Sequence, residues 1–194
     1  DKSMQVSSGV MVAPATVQKN RRYYANRLRA LLPGMDFRGA RILDLGCGEM
    51  LLRSMLPADI TSYRGIDCWP ASLSAGFTVG DMRHIAWDEA PSDYIFLLGV
   101  IDHLAEKDAM KVLERCRSAF SKKLVVSQAT PLGRLMTRKH ITGRPLPVGQ
   151  LFFGFEPDVR LLMKIPRCQR VWDLTHAPQP FRKLATECIW IFSR

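Results

Sequence analysis

Apolar and polar positions along this chain switch between two periods, and the switches mark out its elements. Over 17–32 the residues Tyr24, Leu28, Leu31 and Leu32 recur at helical spacing. Lys19, Arg21, Arg22, Arg27 and Arg29 cover most of the remainder, and Pro33-Gly34 closes the helix. Residues 41–45 (RILDL) form a short apolar run of the buried-strand type, ending in Gly-Cys-Gly. A helix over 49–56 is halted by Pro57, and strands follow at 62–66, 77–79 and 94–98. The clearest helix spans 107–120, with Ala109, Val112, Leu113, Cys116 and Phe120 on one face. Beyond it the pattern predicts a strand at 124–127, a helix at 157–165 and closing strands at 171–174 and 188–192.

Strands alternating with helices predict an α/β fold: a doubly wound, mostly parallel seven-stranded sheet with helices on both faces. The last two strands have too little chain between them for a crossover helix, so they should pair antiparallel, making the last strand the antiparallel one. Residues 1–16 show no sustained period and read as a flexible arm before a single domain over 17–194. The stretch 130–155, rich in Gly, Pro and basic residues, is a substrate-side loop or insertion.

The chain has 194 residues, with 28 Lys+Arg against 18 Asp+Glu. Residues 1–120 balance at +1, whereas 121–194 hold 13 basic and 4 acidic side chains, a balance of +9. The basicity thus belongs to the last third and points to an anionic partner. No apolar stretch approaches the ~20 residues of a membrane span. Five scattered cysteines without zinc-ligand spacing fit a reduced, cytoplasmic protein holding no structural metal. Asp1 is not an initiator Met and no signal-peptide pattern follows it, which fits a chain beginning inside a longer product.

The sharpest chemical feature is Ile42-Leu43-Asp44-Leu45-Gly46-Cys47-Gly48. Glycines after a strand let backbone approach a ligand closely, and in doubly wound sheets ligands lie beyond the carboxyl ends of the strands. A dinucleotide site asks for Gly-x-Gly-x-x-Gly, but position 51 is Leu, and Asp44 would repel a pyrophosphate. A cationic cofactor carrying an amino group and a sulfonium meets no such objection.

Over roughly 38–128 the sequence closely resembles the class I S-adenosylmethionine-dependent methyltransferases, whose first motif is an acidic residue followed by Gly-x-Gly. The resemblance implies S-adenosyl-L-methionine as cofactor and S-adenosyl-L-homocysteine as product. Gly46, Cys47 and Gly48 would then lie against the cofactor, with Asp44 near its methionine portion. Asp67, nineteen residues after Gly48, matches the acidic residue that accepts both ribose hydroxyls, two strong charge-assisted bonds. Cys68 and Trp69 would flank the adenine; Asp81 would take its amino group and Met82 its ring edge. Met50 stands where the family often has a third glycine, which makes the helix entrance bulkier.

After the fourth strand, Leu98-Gly99-Val100-Ile101-Asp102-His103-Leu104 resembles the Leu-Glu-His segment of small-molecule methyltransferases, with Leu98 beside the cofactor. His103 is the candidate catalytic base, since an imidazole of ordinary pKa near ~6.5 accepts a proton at neutral pH; Asp102 is placed to orient it. The alternative for His103 is a structural or capping role. Tyr24 is a candidate to close over the site, and Arg134 and Arg138, on the sheet edge where this family holds its acceptor, suit phosphate or carboxylate groups. These features together favour methylation of an O or N atom on a small or glycan-like acceptor bearing an anionic group. RNA is the alternative acceptor, although Asn/Asp-Pro-Pro-Tyr/Phe and Pro-Cys motifs are both missing after the fourth strand. A protein that binds the cofactor without catalysis is the third possibility.

Overall fold

The computed structural model describes residues 24–68, 75–87, 90–130, 159, 163–172 and 187–194. Helix α1 is described over 24–31 and tightens into a 3-10 turn at Leu32–Gly34, with Pro33 at its start. Strand β1 (Arg41–Leu45) leads through the glycine turn to the short helix α2 (Leu51–Met55). Strands β2 (Ser62–Asp67), β3 (Phe77–Val79) and β4 (Ser92–Leu97) follow. A 3-10 turn at Ile101–His103 then opens into α3 (Glu106–Ala119), β5 (Phe120–Ala129), β6 (Cys168–Trp172) and β7 (Glu187–Ser193).

These strands form one sheet in the order β3-β2-β1-β4-β5-β7-β6. β1 pairs in parallel with β2 and β4, β2 with β3, and β4 with β5. β7 runs antiparallel to both β5 and β6. The predicted seven strands, the parallel majority and the antiparallel last strand are all present.

Side chains alternate across the pleat, so each strand feeds two cores. Leu43, Leu45, Ile95, Leu97, Leu124, Val126, Trp190 and Phe192 pack on one face with α3 and with Val159 and Met163. On the other face Ile42, Tyr94, Phe96, Val125, Ile189 and Ile191 pack with Leu28 and Leu31 of α1 and Leu52 of α2. The continuous apolar runs of β1 and β4 are what burial on both faces requires. α3 presents Ala109, Val112, Leu113, Cys116 and Ala119 inward, and Glu106 and Asp108 in its first turn suit the positive end of the helix dipole.

Most boundaries shift by one or two residues from the sequence pattern, as in α2 (51–55 against 49–56) and β4 (92–97 against 94–98), and three further differences stand out. β5 is ten residues long rather than four, because its polar start Phe120–Lys123 still pairs with neighbouring strands. β6 lies three residues earlier than expected, where Cys168-Gln169-Arg170 carry no visible alternation. Val159 and Met163 are helical as predicted, but Lys164 leaves the helix at φ +49°, one residue short of Ile165. The arm at 1–16, the first part of the basic helix and nearly all of 130–155 lie outside the described residues.

Candidate functional site at the carboxyl ends of β1 and β2

The turn after β1 is held against the end of β2 by backbone bonds. The amides of Gly46 and Cys47 both donate to the Ile66 carbonyl, at 2.7 and 3.2 Å. The Gly48 amide donates to Asp67 Oδ2 at 2.9 Å, so the two acid-bearing strand ends are joined directly. The glycines do different work. Gly46 has φ +76°, and a Cβ there would lie 2.2 Å from Cγ2 of Val100, so the turn passes close against the loop after β4. Gly48, at φ +49°, faces open space, with nothing within 4 Å of the place a Cβ would take. Met50 adopts left-handed backbone (φ 57°) and is buried, which lets the chain enter α2 without a third glycine.

Asp44 is buried beneath this turn and accepts a 2.6 Å hydrogen bond from the Tyr63 hydroxyl. Burial pushes its carboxyl up to about 7, against the opposing influence of the Tyr63 bond and with further help from the Asp67 charge. Tyr63 was not legible as a site residue. Its role depends on register: Ile42 pairs with Tyr63 and Asp44 with Gly65, so both side chains share one face above a residue without a side chain. Cys47 uses the same gap. Its Sγ lies 2.8 Å from where a Gly65 Cβ would stand, and burial pushes the thiol up to about 12, so it stays protonated. Cys47 therefore packs toward β2. Cys68 is exposed at the end of β2, and Trp69 lies outside the described residues.

Asp81 follows β3 and is gripped by its neighbour. Arg83 donates through Nε to both carboxylate oxygens at 2.9 Å and through Nη2 to Oδ2, and its backbone amide adds a bond to Oδ1 at 2.9 Å. The Arg83 guanidinium holds the Asp81 carboxyl below the usual range, and also reaches Asp108 of α3 at 3.1 Å. Met82 is buried in the α3-side core, and its carbonyl accepts from Trp87 Nε1 at 2.8 Å and Arg115 Nη1 at 2.9 Å. α3 thus fixes the loop that carries both residues.

The segment after β4 is also pinned. The Gly99 amide donates to the buried Ser127 hydroxyl at 2.7 Å, and Asp102 Oδ2 accepts from the Ala129 amide at 2.8 Å. Asp102 thereby ties the 3-10 turn to the end of β5, a role its position beside His103 did not reveal. His103 ends that turn with its side chain exposed, and Leu98 is half-buried against the α1-side core. Tyr24 is exposed on α1, and its hydroxyl lies 3.0 Å from where a Gly99 Cβ would be. Asp44, Gly46, Gly48 and Asp67 are thus joined in one bonded turn, and Tyr24 stands over the loop that leads to His103. Arg134 and Arg138 lie outside the described residues.

No protein-family model and no curated protein sequence matches the chain. Solved structures do. A SAM-dependent methyltransferase from Archaeoglobus fulgidus superposes with TM-score 0.65 at 15% identity, over 90% of this chain and 94% of that one. Magnesium protoporphyrin IX methyltransferase from Synechocystis PCC 6803, solved with bound SAH, gives 0.63 at 18% identity, over 96% and 90%. The small RNA methyltransferase HEN1 gives 0.63 at 16% identity, with 99% of this chain covering 27% of that larger one. The fold is that of the class I S-adenosylmethionine-dependent methyltransferases.

Proposed function

We propose that this chain is an S-adenosylmethionine-dependent methyltransferase acting on an O or N atom of a small-molecule or glycan-like acceptor with an anionic group. The observation that carries the reading is the bond from the Gly48 amide to Asp67 Oδ2, with Asp44 buried under the same turn. Such a donor set fits a cationic, amino-bearing cofactor with a ribose. Asp44 supplies a negative charge for the ammonium, the turn leaves open space at Gly48, and Asp67 keeps lone pairs for two hydroxyls. Cys68 and Trp69 border the adenine, Asp81 offers its remaining acceptor capacity to the adenine amino group, and Met82 and Leu98 shape the walls.

When bound, the cofactor supplies a sulfonium methyl open to in-line displacement. The protein's part is alignment, worth up to ~7–11 kcal/mol in ideal cases, and proton removal, worth ~10²–10⁴-fold. His103 takes the proton from the acceptor atom. Ser127 and Asp102 act through the backbone, fixing the loop that presents His103. Arg134 and Arg138 bind the anionic group, and Tyr24 covers the site. The compartment expected is the cytoplasm; no described helix is long and apolar enough to cross a membrane.

RNA is the second reading of the acceptor, supported by the likeness to HEN1, a small RNA methyltransferase. Isothermal titration with S-adenosylmethionine and S-adenosylhomocysteine tests the shared premise: micromolar binding of both is expected, and binding of neither overturns the enzyme reading. Binding without methyl transfer to either class of acceptor would leave a cofactor-binding protein.

A further inference from the structure

At the end of the sheet opposite the glycine turn, a groove of ≈ 410 Å³ opens between the end of α3, residues 164–167 and the end of β7. Arg117, Lys164, Arg167 and Arg194 line it, with Ile165 and Pro166 between them. Its position follows from register. Ser193 pairs with Lys123 at the start of β5, whereas Ala129, which bonds Asp102 at the other site, ends β5. Six residue steps of strand separate these points, about 20 Å.

The groove is built rather than incidental. The Ser193 amide donates to the Arg167 carbonyl at 2.9 Å, joining two of its walls. Arg194 Nη2 donates to the Arg117 carbonyl, and the Arg194 guanidinium lies 4.9 Å from the Phe120 ring centroid, which holds that cation at the rim. Lys164 and Arg167 are exposed, and neither forms an ion pair among the described residues. Among the described residues one side-chain carboxylate pairs with these cations: Glu114, exposed, 3.5 Å from Arg117. Counted by side chains, four cations against that one carboxylate leave the groove net positive.

The form of the groove selects among anions. A single buried phosphate or carboxylate is normally held in an enclosed pocket by convergent donors, and this groove is open, with its cations drawn from α3, residues 164–167 and the end of the β7 segment. A membrane surface favours a flat or convex basic face, not a concave one. A row of phosphates running past these cations, with the exposed Pro166 beside them to meet sugar or base, matches the electrostatic grooves that hold single-stranded nucleic acid.

The geometry points to a phosphodiester-binding groove for single-stranded RNA at the amino end of β5, about 20 Å from the methyl-transfer site and independent of whether that site is catalytic. The full chain titrated against a fluorescein-labelled single-stranded RNA 20-mer, read by anisotropy at 50–200 mM salt, tests it. Lys164→Gln with Arg167→Gln should weaken binding at least tenfold at the lowest salt and reduce the log–log salt slope by roughly 1 for each cation removed. The melting temperature and S-adenosylmethionine affinity should stay unchanged, and Lys164→Gln alone should give an intermediate loss. Lys107→Gln with Lys111→Gln, equal in charge but on the exposed face of α3, should cost less than threefold. An unchanged salt slope in the groove variant, equal weakening by the α3 variant, or wild-type binding to phosphatidylserine vesicles but not RNA would each overturn the inference.

Discussion

The two ends of this sheet are chemical opposites. At the carboxyl ends of β1, β2 and β3 stand Asp44, Asp67 and Asp81, the first buried, the second bonded to the Gly48 amide and the third gripped by Arg83. At the amino end of β5 stand Arg117, Lys164, Arg167 and Arg194 around an open groove. The acidic end is tightly bonded: each carboxylate has a named donor, and the turn leaves no room for a side chain at Gly46. At the basic end Arg117 pairs with Glu114 and Arg194 is tied to the Arg117 carbonyl, while Lys164 and Arg167 form no ion pair among the described residues. The contrast separates two kinds of recognition. On the proposed roles, the bonded acids would select one small cation of defined shape, whereas the groove's cations would hold an extended anion through charge.

The contrast sharpens most if variants at one end leave the other untouched. His103→Ala should produce the largest change, lowering turnover by ~10²–10⁴-fold as loss of a general base does, with cofactor affinity and RNA affinity unchanged. Steady-state kinetics beside titration calorimetry read both, and an unaltered turnover removes His103 from the mechanism. Gly46→Ala comes next. It combines a left-handed backbone penalty of ~1–2 kcal/mol with crowding of Val100 worth ~1–3 kcal/mol. A loss of about 3 kcal/mol in urea unfolding is therefore expected, partly recovered by adding Val100→Ala. Gly48→Ala, which meets open space, should cost only the backbone part. Equal losses at the two glycines would show that Val100 does not crowd the turn. Asp67→Ala should weaken S-adenosylmethionine by ~100-fold or more, since two hydrogen bonds to a charged group contribute ~1.5–3 kcal/mol each, while RNA binding in the groove stays as in the wild type.

Much of the acidic end was legible in the sequence because its signals are local. A five-residue apolar run broken by Gly46-Cys47-Gly48 marks a buried strand and its turn, and the spacing from Gly48 to Asp67 places the second acid at the next strand's end. What escaped depends on register or on long side chains. Tyr63 meets Asp44 only because β1 and β2 pair Asp44 with Gly65. Val100 requires a glycine at 46 only because the loop after β4 folds back on the turn. Arg83 takes Asp81 from two residues away, a local partner the motif itself obscured. The start of β6 escaped because an edge strand flanked only by β7 need not alternate. At the basic end the charge excess after residue 120 was plain, but the groove also draws Arg117 from α3. Charge counted along the chain indicates the sign of the partner and not the surface that meets it.

The smallest effect isolates Asp44, the one acid whose charge is in question near neutrality. Its carboxyl is raised from 3.8 to about 7, chiefly by burial, so the folded protein binds this proton more tightly than the unfolded chain. The stability that follows is fully present below about pH 4 and is lost as pH rises through 7. Ligand binding runs the other way, because a cationic group gains from Asp44 only when it is ionised. S-adenosylmethionine affinity should rise from pH 6 toward pH 8, at most tenfold per unit and mostly below 7, then level off. Tyr63→Phe removes a hydrogen bond that favours the charged form, so it should move the midpoint to higher pH and weaken binding at pH 7. Groove-bound RNA offers the internal control: the cations lining the groove are lysine and arginine, with no histidine among them, and its affinity should stay flat from pH 6 to pH 8. Calorimetry at four pH values decides it, and a flat cofactor profile would show that Asp44 is already charged, or that the cofactor's cation does not meet it.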